Sequence, residues 1–162
     1  MFLRIENLQE KKLIGNCVRM SFADNKTRML WQRFMPRRME ITNNVGLELY
    51  SAEVYESGFF NNFDPTSEFE KWAAVEVTDF NSIPDRMESL VFPAGMYAVF
   101  IHRGPASEGV KTYQYIFQTW LPNSDFTVDT RPHFAVMGKN YKYEDQTSEE
   151  EIWIPIRAKE NS

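Results

Sequence analysis

Cysteine is nearly absent from this chain of 162 residues: the one thiol, Cys17, excludes an intramolecular disulfide and a cysteine-rich zinc site. Histidine is almost as scarce. His102 and His133 lie far apart, and a metal site would need carboxylate partners that no local spacing supplies, so we expect neither metal nor cofactor. No apolar run reaches the ~18 residues a membrane-spanning helix needs. The N-terminal MFLRIENLQEKK carries Arg4, Glu6 and Glu10 where a signal peptide would be apolar. A soluble, cytoplasmic protein is the expectation. Positive charge is also in deficit: 18 Lys and Arg stand against 23 Asp and Glu, for a net charge of −5. Arg33, Arg37 and Arg38 form the one short basic cluster, so direct contact with DNA is disfavoured. Walker loop, dinucleotide fingerprint, Gly-x-Ser-x-Gly elbow and His-Glu-x-x-His are all missing, and no catalytic residue can be assigned.

Aromatic surface is what the chain has in excess. Thirteen Phe, seven Tyr and four Trp make 15% of residues, although hydrophobic residues total only 43% and mean hydropathy is −0.48. The length fits one domain, residues 1–162, against a prior of ~100 to 200 residues.

Along the chain, KLIGNCVRMSF (12–22) has the β-formers and rough alternation of a first strand. Asp24 offers an N-cap, after which Thr27, Leu30, Trp31, Phe34 and Met35 recur at helical spacing until Pro36. LELYSAEVY (47–55) and KWAAVEVTDF (71–80) read as strands flanking a Gly, Asn and Pro-rich loop. In LVFPAGMYAVFIHRG, a strand apolar on both faces centres on Tyr97 to Ile101. Tyr113, Ile116, Phe117, Trp120 and Leu121 then define an amphipathic helix stopped by Pro122, and HFAVMG and EIWIPIR are two more strands. The expected class is α+β: a β-α-β-β module duplicated over about 10–80 and 90–157, with antiparallel sheets, helices on one side and a ligand cleft between the halves.

The last strand carries the most informative pattern. In EEEIWIPIR, alternation puts Glu151 and Trp153 on one face and Ile152, Ile154 and Ile156 on the other. If the isoleucines pack against the helices, Glu151 looks out beside an aromatic ring, an arrangement suited to a lipophilic cation through charge pairing and cation-π attraction of ~0.5 to 2 kcal/mol per ring. Acidic residues beside a strand end are more often simply solvated. Tyr50, Trp72, Tyr97, Trp31 and Trp120 are candidate walls of the cleft, although core packing is the commoner role for such residues. Cys17 with a histidine would make a nucleophile, but a lone strand cysteine is usually a small buried hydrophobe.

FPAGMYAVFIHRGP, YQYIFQTWLPNSDF, RPHFAVMGKNY and EEEIWIPI together resemble the GyrI-like domain, the effector-binding part of AraC-type and multidrug-sensing bacterial regulators. LWQRFMPR, LYSAEVY and KWAAVEV extend the resemblance over about residues 10–157. It implies a duplicated β-α-β-β domain whose two halves enclose an aromatic pocket, with Glu151 at the position of a buried, cation-meeting glutamate. Ala135 departs from the glutamate that many relatives carry in this stretch, which bears on ligand choice at the pocket mouth. About ten residues precede the first expected strand, too few for a helix-turn-helix, so a stand-alone module is expected. The resemblance implies a small-molecule sensor or sequestering protein. Its alternatives are a hydrolase of strained cyclopropanoid toxins with Glu151 as acid-base group, or a gyrase-inhibitor-like module with a protein partner.

Overall fold

The structure is a computed structural model that describes residues 1–61, 64–138 and 145–160. The elements are β1 (Phe2–Leu8), β2 (Lys11–Met20), α1 (Thr27–Phe34), β3 (Leu49–Val54), β4 (Phe69–Val77), β5 (Glu88–Phe92), β6 (Gly95–Arg103), α2 (Gly109–Tyr115), β7 (Phe126–Val128), β8 (His133–Met137) and β9 (Glu149–Ala158). Eight strands form one antiparallel sheet in the order β1-β6-β9-β8-β3-β4-β2-β5, and β7 pairs with β9.

Strand order and linker length together force the sheet to curl. β1 and β2 stand six positions apart, which is ~29 Å in a flat sheet at ~4.8 Å per strand. Yet Gln9 and Glu10 alone connect them, a reach of at most ~11 Å from Leu8 to Lys11. The link from β5 to β6, through Pro93 and Ala94, imposes the same constraint. One face of the sheet is therefore concave. That face carries Tyr50, Ala52, Trp72, Tyr97, Val99, Phe134 and Trp153 as one buried cluster. The convex face is covered by the helices: Leu30 and Phe34 of α1 pack on Ile14, Ala73 and Val75, and Ile116 and Leu121 after α2 pack on Ala98, Phe100 and the β9 isoleucines.

The class is α+β, with helices on one side of an antiparallel sheet. β2-α1-β3-β4 and β6-α2-β8-β9 repeat the same order, and the sheet runs β6-β9-β8 on one side and β2-β4-β3 on the other, meeting at the β8–β3 pair. Equivalent places in the two units hold the same short motif, Glu70-Lys71-Trp72 on β4 and Glu151-Ile152-Trp153 on β9. Trp72 faces Cys17 and Ala52 across its strand pairs, and Trp153 faces Val99 and Phe134.

Several local expectations change. The first ten residues contain β1, whose alternation is broken by a bulge. Asp24 does not cap α1: Lys26 is the N-cap residue, and the Thr27 N–H donates to Asn25 Oδ1 at 2.9 Å. Pro36 does not stop the chain's coiling, because a missing N–H is tolerated in a first turn, and Met35–Glu40 continues as a 3-10 helix. The strand expected around Tyr97 to Ile101 is β6, while β5 ahead of Pro93 is a separate strand not set apart from sequence, and the three-residue β7 carried no readable pattern. The second helix ends in a π turn over Ile116–Trp120, closed by the Leu121 N–H on the Ile116 carbonyl at 2.9 Å.

Candidate functional site

The mouth of the concave face is a cleft of about 460 Å³ whose floor is Tyr50, Phe134 and Trp153 and whose rim carries Glu6, Glu48, Glu76 and Glu151. Its floor follows from sheet register. Glu151, Val136 and Tyr50 lie opposite one another on β9, β8 and β3, and Trp153 and Phe134 form the next row on β9 and β8. Period-two alternation sends Ile152, Ile154 and Ile156 to the α2 side and leaves Glu151 and Trp153 on the concave side.

Glu151 is tied to its neighbour: the Trp153 indole N–H donates to Glu151 Oε1 at 3.1 Å. The carboxylate side chain remains 37% exposed. Below it the rings are closely packed. Trp153 stacks on Phe134 with centroids 5.3 Å apart, and Phe134 stacks on Phe92 at 4.3 Å. Tyr50 and Tyr97 pack around Phe134 at 5.9 and 5.3 Å. Burial first, and then the negative charges of Glu76, Glu48 and Glu151, push the Tyr50 hydroxyl well above its ordinary pKa, so the phenol stays neutral. Among the described residues, two internal cations face the rim: Lys11 pairs with Glu76 at 3.2 Å, and Arg4 pairs with Glu6 and Glu151. Over the mouth, the loop before β3 is pinned by the Val45 N–H on the Glu76 carbonyl at 2.8 Å. Gly46 turns there at φ 76°, a conformation that favours glycine.

The residues singled out from sequence divide by face. Glu151, Trp153 and Tyr50 line the cleft. Tyr97 and Trp72 belong to the same concave cluster but lie beneath its surface. Tyr97 is fully buried and donates its hydroxyl to the Pro132 carbonyl at 2.8 Å. Trp72 is buried, and among the described residues its indole N–H has no hydrogen-bond partner. Trp31 and Trp120 are on the opposite side of the sheet, so the placement expected for them is corrected. Trp31 packs edge-on against Phe34, and Trp120 stacks on Phe2 and meets Phe100, because the apolar stripe of each helix has to cover the convex face. Ala135 also faces that side, in the cluster with Ile116 and Ile152, so its methyl group does not touch the cleft mouth.

Sequence reasoning missed Phe134 on the cleft floor, Phe92 stacked beneath it, and the rim carboxylates Glu6, Glu48 and Glu76. HFAVM does alternate, which was a usable signal for Phe134. The rim carboxylates come from three distant segments and had none. Cys17 is not activated: desolvation and the Glu70 carboxylate, to which Sγ donates at 3.4 Å, push its pKa up to about 12. Among the described residues, no three His, Cys, Asp or Glu side chains are grouped to hold a metal ion, and no helix is long and apolar enough to cross a membrane.

The sequence profile of the GyrI-like small molecule binding domain matches residues 1–157. The chain belongs to this family. The transcriptional regulator BrlR of Pseudomonas aeruginosa is 27% identical over 128 residues. That match takes in 78% of this chain but 45% of BrlR, so the chain spans less than half the length of this relative. The structure of SAV2435 bound to tetraphenylphosphonium superposes with a TM-score of 0.71 at 16% identity, over 97% of this chain and 94% of the other. The EcmrR C-terminal domain superposes at 0.68 and 16% identity, over 98% and 99% of the two chains. A hydrolase encoded by lin2189 from Listeria innocua gives 0.56 at 15% identity, over 95% and 91%. At these identities the likeness is one of fold. As a GyrI-like domain, this chain is a small-molecule-binding module, and its concave cleft is the candidate place for the ligand.

Proposed function

We propose that this GyrI-like domain binds an amphipathic organic cation at the mouth of the concave face, and that it acts as a sensor or sequestering module for such compounds. One observation carries the reading: the Glu151 carboxylate, oriented by the Trp153 indole, stands at the edge of a floor made of aromatic faces. A carboxylate supplies the charge, and ring faces supply dispersion and cation-π attraction of ~0.5 to 2 kcal/mol each. Among the described residues, three further carboxylates against two internal cations leave the rim net negative, which attracts cations toward it. The tetraphenylphosphonium bound by SAV2435 is a lipophilic cation of the same class.

The hydrolase alternative draws support from the fold shared with the lin2189 hydrolase. It asks Glu151 to exchange a proton with a substrate, whereas both carboxylate oxygens already have partners, Oε1 the Trp153 indole N–H and Oε2 the Arg4 guanidinium. Binding is therefore the better supported reading. The test is a titration with tetraphenylphosphonium and with neutral triphenylphosphine oxide, followed by tryptophan fluorescence. Glu151→Gln is expected to weaken the cation about tenfold or more, in line with ~1.5 to 3 kcal/mol for a charge-assisted contact, and to leave the neutral compound within about twofold. Equal losses for both compounds would remove the charge assignment.

A further inference from the structure

The place that the proposed function gives to a ligand's positive charge is occupied by the protein itself. Arg4, on the edge strand β1, lays its guanidinium over the Trp153 indole, with Cζ 5.6 Å from the ring centroid. Its Nη1 stands 3.5 Å from Glu151 Oε2, and its Nε donates to Glu6. These are the two contacts, carboxylate and ring face, through which the cleft would hold an external cation.

A local irregularity aims Arg4 there. Phe2 and Arg4 are two residues apart and would share a face in a regular strand. The register slips between them, however: Arg4 lies opposite Val99, yet Phe2 lies opposite Phe100. Leu3 is the extra residue of this β-bulge, a device that redirects side chains at sheet edges. Phe2 consequently turns to the convex face, stacking on Trp120 at 4.9 Å. Arg4 turns to the concave face, in the same row as Val99 and Trp153. Both ends of the bulge are held: the Met1 amine donates to the Ile101 carbonyl at 3.0 Å, and Ile5 to Leu8 pair residue by residue with Ala98 to Gly95.

We propose that Arg4 is a tethered competitor of the ligand: it fills the Glu151–Trp153 position in the empty domain, swings to solvent when a ligand enters, and so sets which cations are accepted. The proposal rests on the reading of the cleft as a cation site. Arg4 is well suited to leave. Its side chain is 43% exposed and that of Glu151 37%, so the ion pair is weak and solvent lies beside it. A guanidinium also stacks on rings and is less strongly hydrated than an ammonium, which suits it to hold the place while no ligand is present. Because it is tethered, it competes at an effective concentration in the millimolar range and raises the apparent Kd by a finite factor without closing the site.

Selectivity follows from what Arg4 offers. A small hydrated cation makes the same two contacts as the guanidinium and has no means to displace it. An aryl cation adds contact with Phe134 and Tyr50 on the cleft floor and wins by that margin.

Wild type, Arg4→Gln and Glu151→Gln would be titrated at constant ionic strength with tetraphenylphosphonium, tetramethylammonium and neutral triphenylphosphine oxide, with thermal melts to verify folding. Arg4→Gln is expected to tighten tetraphenylphosphonium about three- to tenfold, to make tetramethylammonium binding measurable, and to tighten the neutral compound by a smaller factor, since that compound shares the ring face with Arg4 but not the Glu151 carboxylate. Arg4→Lys, which keeps the charge, should return cation affinity toward wild type. Binding by Arg4→Gln where wild type is silent would support the same conclusion. An Arg4→Gln affinity equal to or below wild type, with Glu151→Gln still impaired, would overturn the competitor while leaving the cation site standing. No cation binding by wild type or by Arg4→Gln would overturn both.

Discussion

His133 shows what burial does to one side chain in this fold. Tyr55, Phe60 and Phe117 surround its ring at centroid distances of 4.9, 6.0 and 6.3 Å, and desolvation lowers its pKa from 6.5 to about 3. Between those values the unfolded chain takes up a proton that the folded chain refuses. This group's contribution is therefore intact above pH 6.5 and is lost as pH falls toward about 3, at no more than ~1.4 kcal/mol per pH unit. Chemical denaturation at pH 7 and pH 5 should show His133→Phe losing less stability on acidification than wild type; parallel losses would mean that the histidine stays solvated. At the same scale, Glu151 and Trp153 were legible as a pair because strict alternation in EIWIPI separates them from the isoleucines. Arg4 was not legible as their neighbour, since one bulge residue decides the face on which it lies.

Among the elements, close approach between β2 and β4 makes a particular demand on sequence. Gly15 pairs with Ala74, and a methyl group built on Gly15 would lie 2.0 Å from the Ala73 carbonyl oxygen and 2.6 Å from the Ala74 Cα. Backbone atoms cannot yield as a flexible side chain can. Gly15→Ala is expected to destabilise the domain by about 2 to 4 kcal/mol, measured by denaturant titration; a loss under ~0.5 kcal/mol would show that the strands adjust freely. The main strands and both helices were readable from apolar spacing, because each must present a continuous face to a core. The terminal details were less readable. Neither the Asn25 turn at the start of α1 nor the π turn after α2 has a spacing signature, and β7 is too short to have a period.

For the molecule as a whole, the two-residue links β1–β2 and β5–β6 exchange strands between the halves: β1 completes the unit containing β6, and β5 completes the unit containing β2. β1 also covers Phe100 and Trp120 through Phe2. Removing residues 1–8 should therefore lower the thermal midpoint and expose the β6 edge to intermolecular pairing. Melting and light scattering would check this; an unchanged midpoint in a monodisperse variant would show that β1 is an ornament of the sheet. The cleft rim draws on the same exchange through Glu6 of β1, which joins Glu76 of β4 and Glu151 of β9.

By itself, the sequence determined the class, the order of the main elements and the Glu151–Trp153 face, because strand and helix periodicities act over a few neighbouring residues. The E-x-W repeat at Glu70–Trp72 and Glu151–Trp153 was also present in the letters, although only the sheet gives the two copies equivalent places. Tertiary structure alone decided which aromatics line the cleft and which pack beneath the helices, since Trp31 and Trp120 have the same residue chemistry as Trp153 but stand on the other face. It also decided the acidic rim and the placement of Arg4. Those depend on curvature and on one slipped register, which bring together residues up to 147 positions apart, as from Arg4 to Glu151; no local pattern encodes a separation of that length.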